Sequence, residues 1–167
     1  MGAVAYRALA TTFSMLGRLD EAEQAIHRAI ELRPGAEEDH VVLAMIEIQR
    51  GNAKAAFDAA KGEPPGPSHD VAVAEALQVG TDRAAADAAL KSVIAKYGNQ
   101  QPGDIAEVYA VRKDADRMFQ WLNRALAIHD GNLQAILYDA LLLPYQQDPR
   151  FAKVCRALKL PVPQPKS

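Results

Sequence analysis

Cysteine is almost missing from this chain: Cys155 is the sole one among 167 residues. A single thiol cannot close an internal disulfide and leaves no Cys-based zinc cluster, so the setting expected is a reducing, cytoplasmic one. Aromatic residues are scarce as well, at 6%. That counts against a sandwich or barrel, whose strands draw on aromatic and β-branched side chains. Neither sign of charge dominates, because 19 basic and 21 acidic residues interleave to a net charge of −2. With no basic stripe to neutralise phosphates, no direct nucleic-acid contact is expected. No apolar run approaches the length of a membrane span, so no membrane insertion is expected either. The start lacks the charged-then-apolar order of a signal peptide, and Met1-Gly2 runs into Ala3-Val4-Ala5-Tyr6 without the hydroxyl residue of a myristoylation signal.

What the chain does have is alanine. Hydrophobic residues make up 49% and charged residues 24%, a balance typical of folded proteins rather than disordered ones. Alanine has the highest helix propensity, and its small side chain lets helix axes approach closely. An all-α chain follows, with helices expected near 3–16, 20–33, 37–50, 53–61, 68–79, 82–97, 103–112, 115–128, 132–142 and 149–158.

Inside the first of these segments a repeat is legible. Tyr6, Leu9, Ala10 and Phe13 recur at helical spacing and form one apolar stripe. Gly17 ends that helix, and Asp20 with Glu23 has the spacing of a capping box opening the next. Ala22, Ile26 and Ala29 form the second stripe, which Pro34-Gly35 stops. The same spacing returns after Pro102 with Ile105-Ala106, Tyr109, Met118, Leu122, Ala125 and Asp130. Between them lie two weaker units. One carries Leu43-Ala44, Gly51 and Ala56, with Glu47 and Ala60 where aromatics belong; the other carries Val73, Gly80, Ala85 and Ala89. Glu63-Pro-Pro-Gly-Pro67 cuts the helix before it short, since consecutive prolines remove N–H donors and forbid helix.

The segment 3–34 resembles the tetratricopeptide repeat, with Ala10 standing for the usual Gly and Ile26 for the usual aromatic. The resemblance implies a right-handed α-solenoid of antiparallel helix pairs, about nine or ten helices in all. It implies one domain over 1–160, with units near 3–34, 37–65, 66–98 and 99–131, capping helices over 132–160 and a flexible tail at 161–167. Asp148-Pro149-Arg150-Phe151 and the closing Leu160-Pro161 are similar to the C-terminal end of bacterial TPR regions. Such regions follow signalling domains such as class III nucleotidyl cyclases, winged-helix regulators or serine/threonine kinases. In this position Asp148 caps a last helix, Pro149 takes its first turn, and Phe151 seals the stack.

Catalytic chemistry finds little footing in the sequence. The histidines 27, 40, 69 and 129 lie far apart, none with a second histidine at ligand spacing on one helix. His129 follows a helix end, where an imidazole favours the negative dipole. Cys155 reads as a small buried hydrophobe, and Glu21-Glu23 and Glu37-Glu38-Asp39 as carboxylates at helix starts. No glycine-rich phosphate loop is present, and the expectation is a non-enzyme with no cofactor or metal.

The family resemblance instead implies a protein or peptide partner held on the concave surface that the first helix of each pair lines. Carried over, the groove positions are Arg7, Thr11 and Met15, then Val41, Met45 and Ile48, then Asp70, Ala74 and Leu77, then Glu107 and Val111. TPRs that clamp the acidic tails of cytosolic chaperones place two Asn in this groove. Arg7, Thr11 and Val42 occupy the matching positions, so that ligand class is not expected. Met15, Met45, Ile48 and Leu77 suit an amphipathic helix or an apolar segment. The function expected is an interaction module, the C-terminal sensory or regulatory part of a larger bacterial signalling protein. Two other readings stand beside it. Ala3 enters the first repeat uncapped, so apolar surface near Tyr6, Leu9 and Leu16 is expected to be uncovered or to support a homodimer or end-to-end scaffold through the N-terminal repeat. The last is an enzyme of unrecognised type built on His69 or His129 beside a carboxylate.

Overall fold

Helix is the one kind of regular structure among the described residues, 2–163, of the computed structural model. The α-helices are α1 (Ala3–Met15), α2 (Leu19–Leu32), α3 (Asp39–Arg50), α4 (Ala53–Gly62), α5 (Pro67–Val79), α6 (Arg83–Tyr97), α7 (Pro102–Val111), α8 (Ala115–Ile128) and α9 (Pro149–Ala157). Two 3-10 segments, Gly131–Tyr138 and Leu143–Tyr145, separate α8 from α9. The all-α expectation holds. Of the tail expected at 161–167, residues 164–167 lie outside the described ones.

One kind of turn ends helix after helix. At α1, Gly17 takes a left-handed φ of 72°, Arg18 N donates to Phe13 O at 2.9 Å and Gly17 N to Ser14 O at 3.0 Å. This crossed pair satisfies carbonyls that a helix end would otherwise leave orphaned. It recurs after α3, with Gly51 at φ 74° and Asn52 N donating to Glu47 O at 3.0 Å. After α7 it recurs again, although there Lys113 holds the left-handed position at φ 63° and Asp114 N donates to Tyr109 O at 3.0 Å. In the last two cases the next residue opens the following helix: Asn52 accepts from Ala55 N, and Asp114 from Arg117 N. After α1 the tight turn makes Arg18 the cap of α2, with no side-chain bond, so the box read at Asp20–Glu23 does not form. Asp20 already lies inside the first turn, and its carboxylate turns elsewhere.

The contacts gather into two compact units, Met1–Ala89 and Leu90–Ser167. The repeat pattern had implied one continuous domain over 1–160; the division between the units falls within α6. In the first unit α1 packs on α2, α3 on α4, α2 on α3 and α4 on α5; α3 also touches both α1 and α5. Two apolar clusters hold these helices. One gathers Ala10, Ala22, Ile26, Ala29, Val42 and Ile46. The buried members of the other are all alanine: Ala44, Ala56, Ala59, Ala60, Ala72 and Ala76. Methyl-sized contacts let these helices approach closely, while Ile26 and Ile46, both fully buried, each contribute about 1.5–3 kcal/mol of apolar burial.

In the second unit α7 packs on α8, α8 on α9, and the 3-10 segment Gly131–Tyr138 on both α7 and α8. Asp148 caps α9 by accepting from Arg150 N at 2.9 Å, with Pro149 in the first turn and Phe151 fully buried, as the sequence suggests. Arg150 lies 4.3 Å above the Phe119 ring and 2.6 Å from Asp116 on α8. The α-helix expected over 132–142 is corrected to the shorter 3-10 segment. His129, left-handed at φ 57°, stops α8, and Asp130 accepts from Asn132 N at 3.0 Å, so the chain restarts within a short span. Leu133 and Ile136, the buried residues there, are three apart, and a helix of three residues per turn sets both on one face.

Candidate functional site

The positions assigned to partner binding on α1, α3 and α5 belong to the first unit, and those on α7 to the second. Met15, Val41, Met45, Ile48 and Leu77 are half-buried. Met45 packs partly on the cluster around Ile26, whereas Val41 and Ile48 pack partly on the alanine cluster. Each therefore gives part of its surface to the core and keeps part open. Ala74 does not fit the assignment, because it is wholly buried within α5 and has no surface to offer. The Thr11 hydroxyl donates back to Arg7 O at 3.2 Å. Asp70 stands 3.4 Å from the Nδ1 of His69.

Arg7 has partners within the chain. Its guanidinium donates to Glu37 O at 2.7 Å and lies 3.0 Å from the Glu38 carboxylate and 3.7 Å from Asp39. It ties α1 to the start of α3, a corner under backbone strain. Glu38 is left-handed at φ 71°, and its N–H is held by the Glu63 carboxylate at 2.7 Å. Asp39 and Glu63 are both almost wholly buried; their second oxygens, and His40 Nδ1, have no hydrogen-bond partner among the described residues. Such groups are costly to bury, and the Arg7 and Glu63 contacts offset part of that cost. Further along, Gln49 on α3 donates to the buried Ser14 hydroxyl of α1.

A second cationic hub was not foreseen. Arg50 lies 2.7 Å from Asp20, 2.6 Å from Glu23 and 2.8 Å from Glu47, joining α2 to α3. Glu47 is the carboxylate that the repeat pattern places where an aromatic belongs; it is buried and needs this guanidinium. The hydrogen bond from Arg50 holds the Glu23 carboxyl below the usual carboxylate range. The sequence signal was present in Glu47 on an apolar face with Arg50 three residues on, where helix geometry brings the two together.

In the second unit the balance is reversed. Burial raises the Asp139 carboxyl above its ordinary value, against the opposing influence of nearby Glu107 on α7. The Asp139 carboxyl also accepts from Leu141 N at 2.8 Å. Asp104, one turn before Glu107, accepts from the Asn132 amide at 2.6 Å. Burial pushes the Asp104 carboxyl up to about 6, helped by nearby Asp130 and Asp139 and opposed by the Asn132 bond. Asp130 accepts from Gly103 N at 2.9 Å. Val111 closes α7, half-buried. Glu107, assigned to a partner, thus already meets a segment of its own chain.

Of the groups weighed for catalysis, His69 is the one beside the Asp70 carboxylate, at 3.4 Å. His27 lies 3.7 Å from Glu23 on the exposed side of α2, and His129 is the left-handed residue after α8. Cys155 is wholly buried, and that burial pushes its thiol up. Among the described residues no group of three or more His, Cys, Asp or Glu side chains is placed to hold a metal ion, and no helix is long and apolar enough to cross a membrane. No family model, curated protein or solved structure matches the chain.

Proposed function

We propose that this chain is a tetratricopeptide-like interaction module that receives an amphipathic helix or apolar segment of another protein on its α1, α3 and α5 helices. The observation that carries the reading is the row of half-buried apolar side chains, Met15, Met45, Ile48 and Leu77, on three helices that touch in succession. Flexible methionines in such a row accommodate varied apolar ligands. The turn at Gly17 and its counterpart at Gly51 support the repeat reading, being about 34 residues apart, the period of a tetratricopeptide unit. On this reading the helix pairs form a solenoid, and the chain serves as the C-terminal regulatory part of a signalling protein.

The test is titration with a panel of amphipathic helical peptides, followed by NMR of the labelled protein. Binding is expected to shift resonances of α1, α3 and α5, and Met45→Glu with Ile48→Glu to weaken it at least ~10-fold, as a buried hot spot does. Shifts elsewhere, or affinity untouched by both changes, would sink the groove.

A second reading, self-association through α1, is favoured by one observation. Val4 on α1 and Leu16 just past its end are 58% and 65% exposed, and the single charged side chain of that helix, Arg7, is already paired. Tyr6 and Leu9, expected to be uncovered with Leu16, are instead partly packed on the core. Light scattering over a concentration series with Leu16→Glu separates the two readings.

A further inference from the structure

The start of α3 gathers more acid than its surroundings neutralise. Glu37, Glu38 and Asp39 are consecutive, and Glu63, just past α4, joins them through the Glu38 N–H at 2.7 Å. Arg7 meets this corner, 3.0 Å from Glu38 and 3.7 Å from Asp39. Arg33 follows the end of α2, and Lys61 lies over the Phe57 ring instead. The start of a helix adds about half a positive charge. Even with that and Arg33 counted, the four acids exceed what faces them.

Two of the four are buried with an oxygen to spare. Asp39 and Glu63 are 2% and 3% exposed, and Asp39 Oδ2 and Glu63 Oε2 have no hydrogen-bond partner among the described residues. The His40 imidazole lies against Gly62 so closely that a Cβ there would not fit. The start of α3 and the end of α4 are thus closed on each other. Charge buried in this way is felt above the corner, because a low-dielectric interior screens it less than water does. Above it stands Glu38, whose side chain is 64% exposed and does not cap α3. Its backbone is left-handed at φ 71°, a conformation that is costly for any residue but glycine and that gathers at binding sites.

Position ties this acid to the apolar row. Residues 38, 41, 45 and 48 follow the three-and-four spacing of one helical stripe, so Glu38 stands at the end of the row Val41, Met45 and Ile48. We propose that the corner seats a lysine or arginine at one end of the partner's amphipathic helix, so that the groove takes a basic-ended apolar helix and not a neutral or acidic one. This rests on the groove reading and adds to it the charge and the direction of the occupant. The cation meets the exposed Glu37 and Glu38 carboxylates, while Asp39 and Glu63 act from beneath, by charge and not by contact. Arg7 keeps its place, since it also donates to the Glu37 carbonyl at 2.7 Å.

Two probes keep the corner and the groove apart. A tri-arginine peptide, which has no apolar side chain, is titrated into the full labelled chain at about 20 mM salt, where screening is weak. The amides of Glu37, Glu38, Asp39, His40 and Glu63 are expected to shift, those of Met45 and Ile48 to stay, and Glu38→Gln to reduce the shifts at least about twofold. A tri-glutamate peptide is the control and moves none of them. The second probe is an amphipathic helical peptide ending in two lysines, compared with the same peptide ending in two glutamines. The lysine form is expected to bind roughly fivefold tighter at low salt, and the gap to close at about 0.5 M salt. In Glu38→Lys the advantage disappears. Corner amides unmoved by tri-arginine, or moved equally in Glu38→Gln, would overturn the seat. Equal affinity of the two helical peptides for the native chain would overturn it too, and would leave the groove standing. If neither helical peptide binds, groove and seat fall together.

Discussion

The two units differ in what their inward carboxyl groups meet. In the first, the buried Glu47 and Asp39 lie beside Arg50 and Arg7, which also draw in the more exposed Glu23, Asp20 and Glu38, while buried Glu63 accepts from the Glu38 N–H instead. In the second, Asp104 accepts from the neutral Asn132, and burial raises both the Asp104 and the Asp139 carboxyl above their ordinary values. The contrast teaches that the same helix-and-turn grammar accommodates an inward carboxylate by pairing its charge or by letting it hold its proton to a higher pH. The two solutions respond to pH with opposite sign. Glu23, whose carboxyl is held low by Arg50, contributes stability above the ordinary carboxylate range and loses it as pH falls. Asp104, raised to about 6, contributes below its ordinary value and loses that contribution as pH rises through about 6.

The largest effect expected comes from breaking the charge pairing of the first unit. Arg50→Ala leaves Glu47 buried without its guanidinium and should cost about 2–3 kcal/mol, read by urea denaturation at neutral pH. A cost below the error of that measurement would show that the hub is decorative. In the second unit the corresponding change goes the other way. Asp104→Asn removes a carboxyl that is forced to ionise in a poor setting, so above a pH of about 6 it should stabilise the fold. With its partial exposure the gain is on the order of 1 kcal/mol, and it should vanish at low pH. A loss of stability at every pH would mean that the Asn132 bond outweighs desolvation.

The smallest effect compares one turn in two settings. Gly51 and Lys113 occupy equivalent left-handed positions after α3 and α7. Lys113→Gly should stabilise by about 0.5–1 kcal/mol and Gly51→Ala destabilise by about 1 kcal/mol, both measured by thermal melting. Matching signs for the two changes would show that something other than backbone strain governs those turns.

Much of the helix layout could be read directly. Gly17 and Gly51 mark helix ends, Pro67 and Pro102 open first turns, and Asp148-Pro149 opens α9. The stripe Met118, Leu122 and Ala125 is buried as its spacing implies. The readings that failed depended on competition between neighbours. Asp20 looked like a cap, but the Gly17 turn started α2 one residue earlier and freed its carboxylate for Arg50. Ala74 shares its register with open positions, yet α5 buries it completely. That Arg7 also ties α1 to the start of α3 was equally out of reach of a local reading.

By itself, then, the order of residues determined where helices start and stop, because capping side chains, prolines and left-handed glycines act within a few positions of themselves. It determined also that those helices approach closely, because alanine leaves little between them. Only the tertiary structure decided that Arg50 reaches Glu23 and that Asn132 reaches Asp104, since those partners lie 27 and 28 residues apart and their distances depend on packing that no local rule encodes.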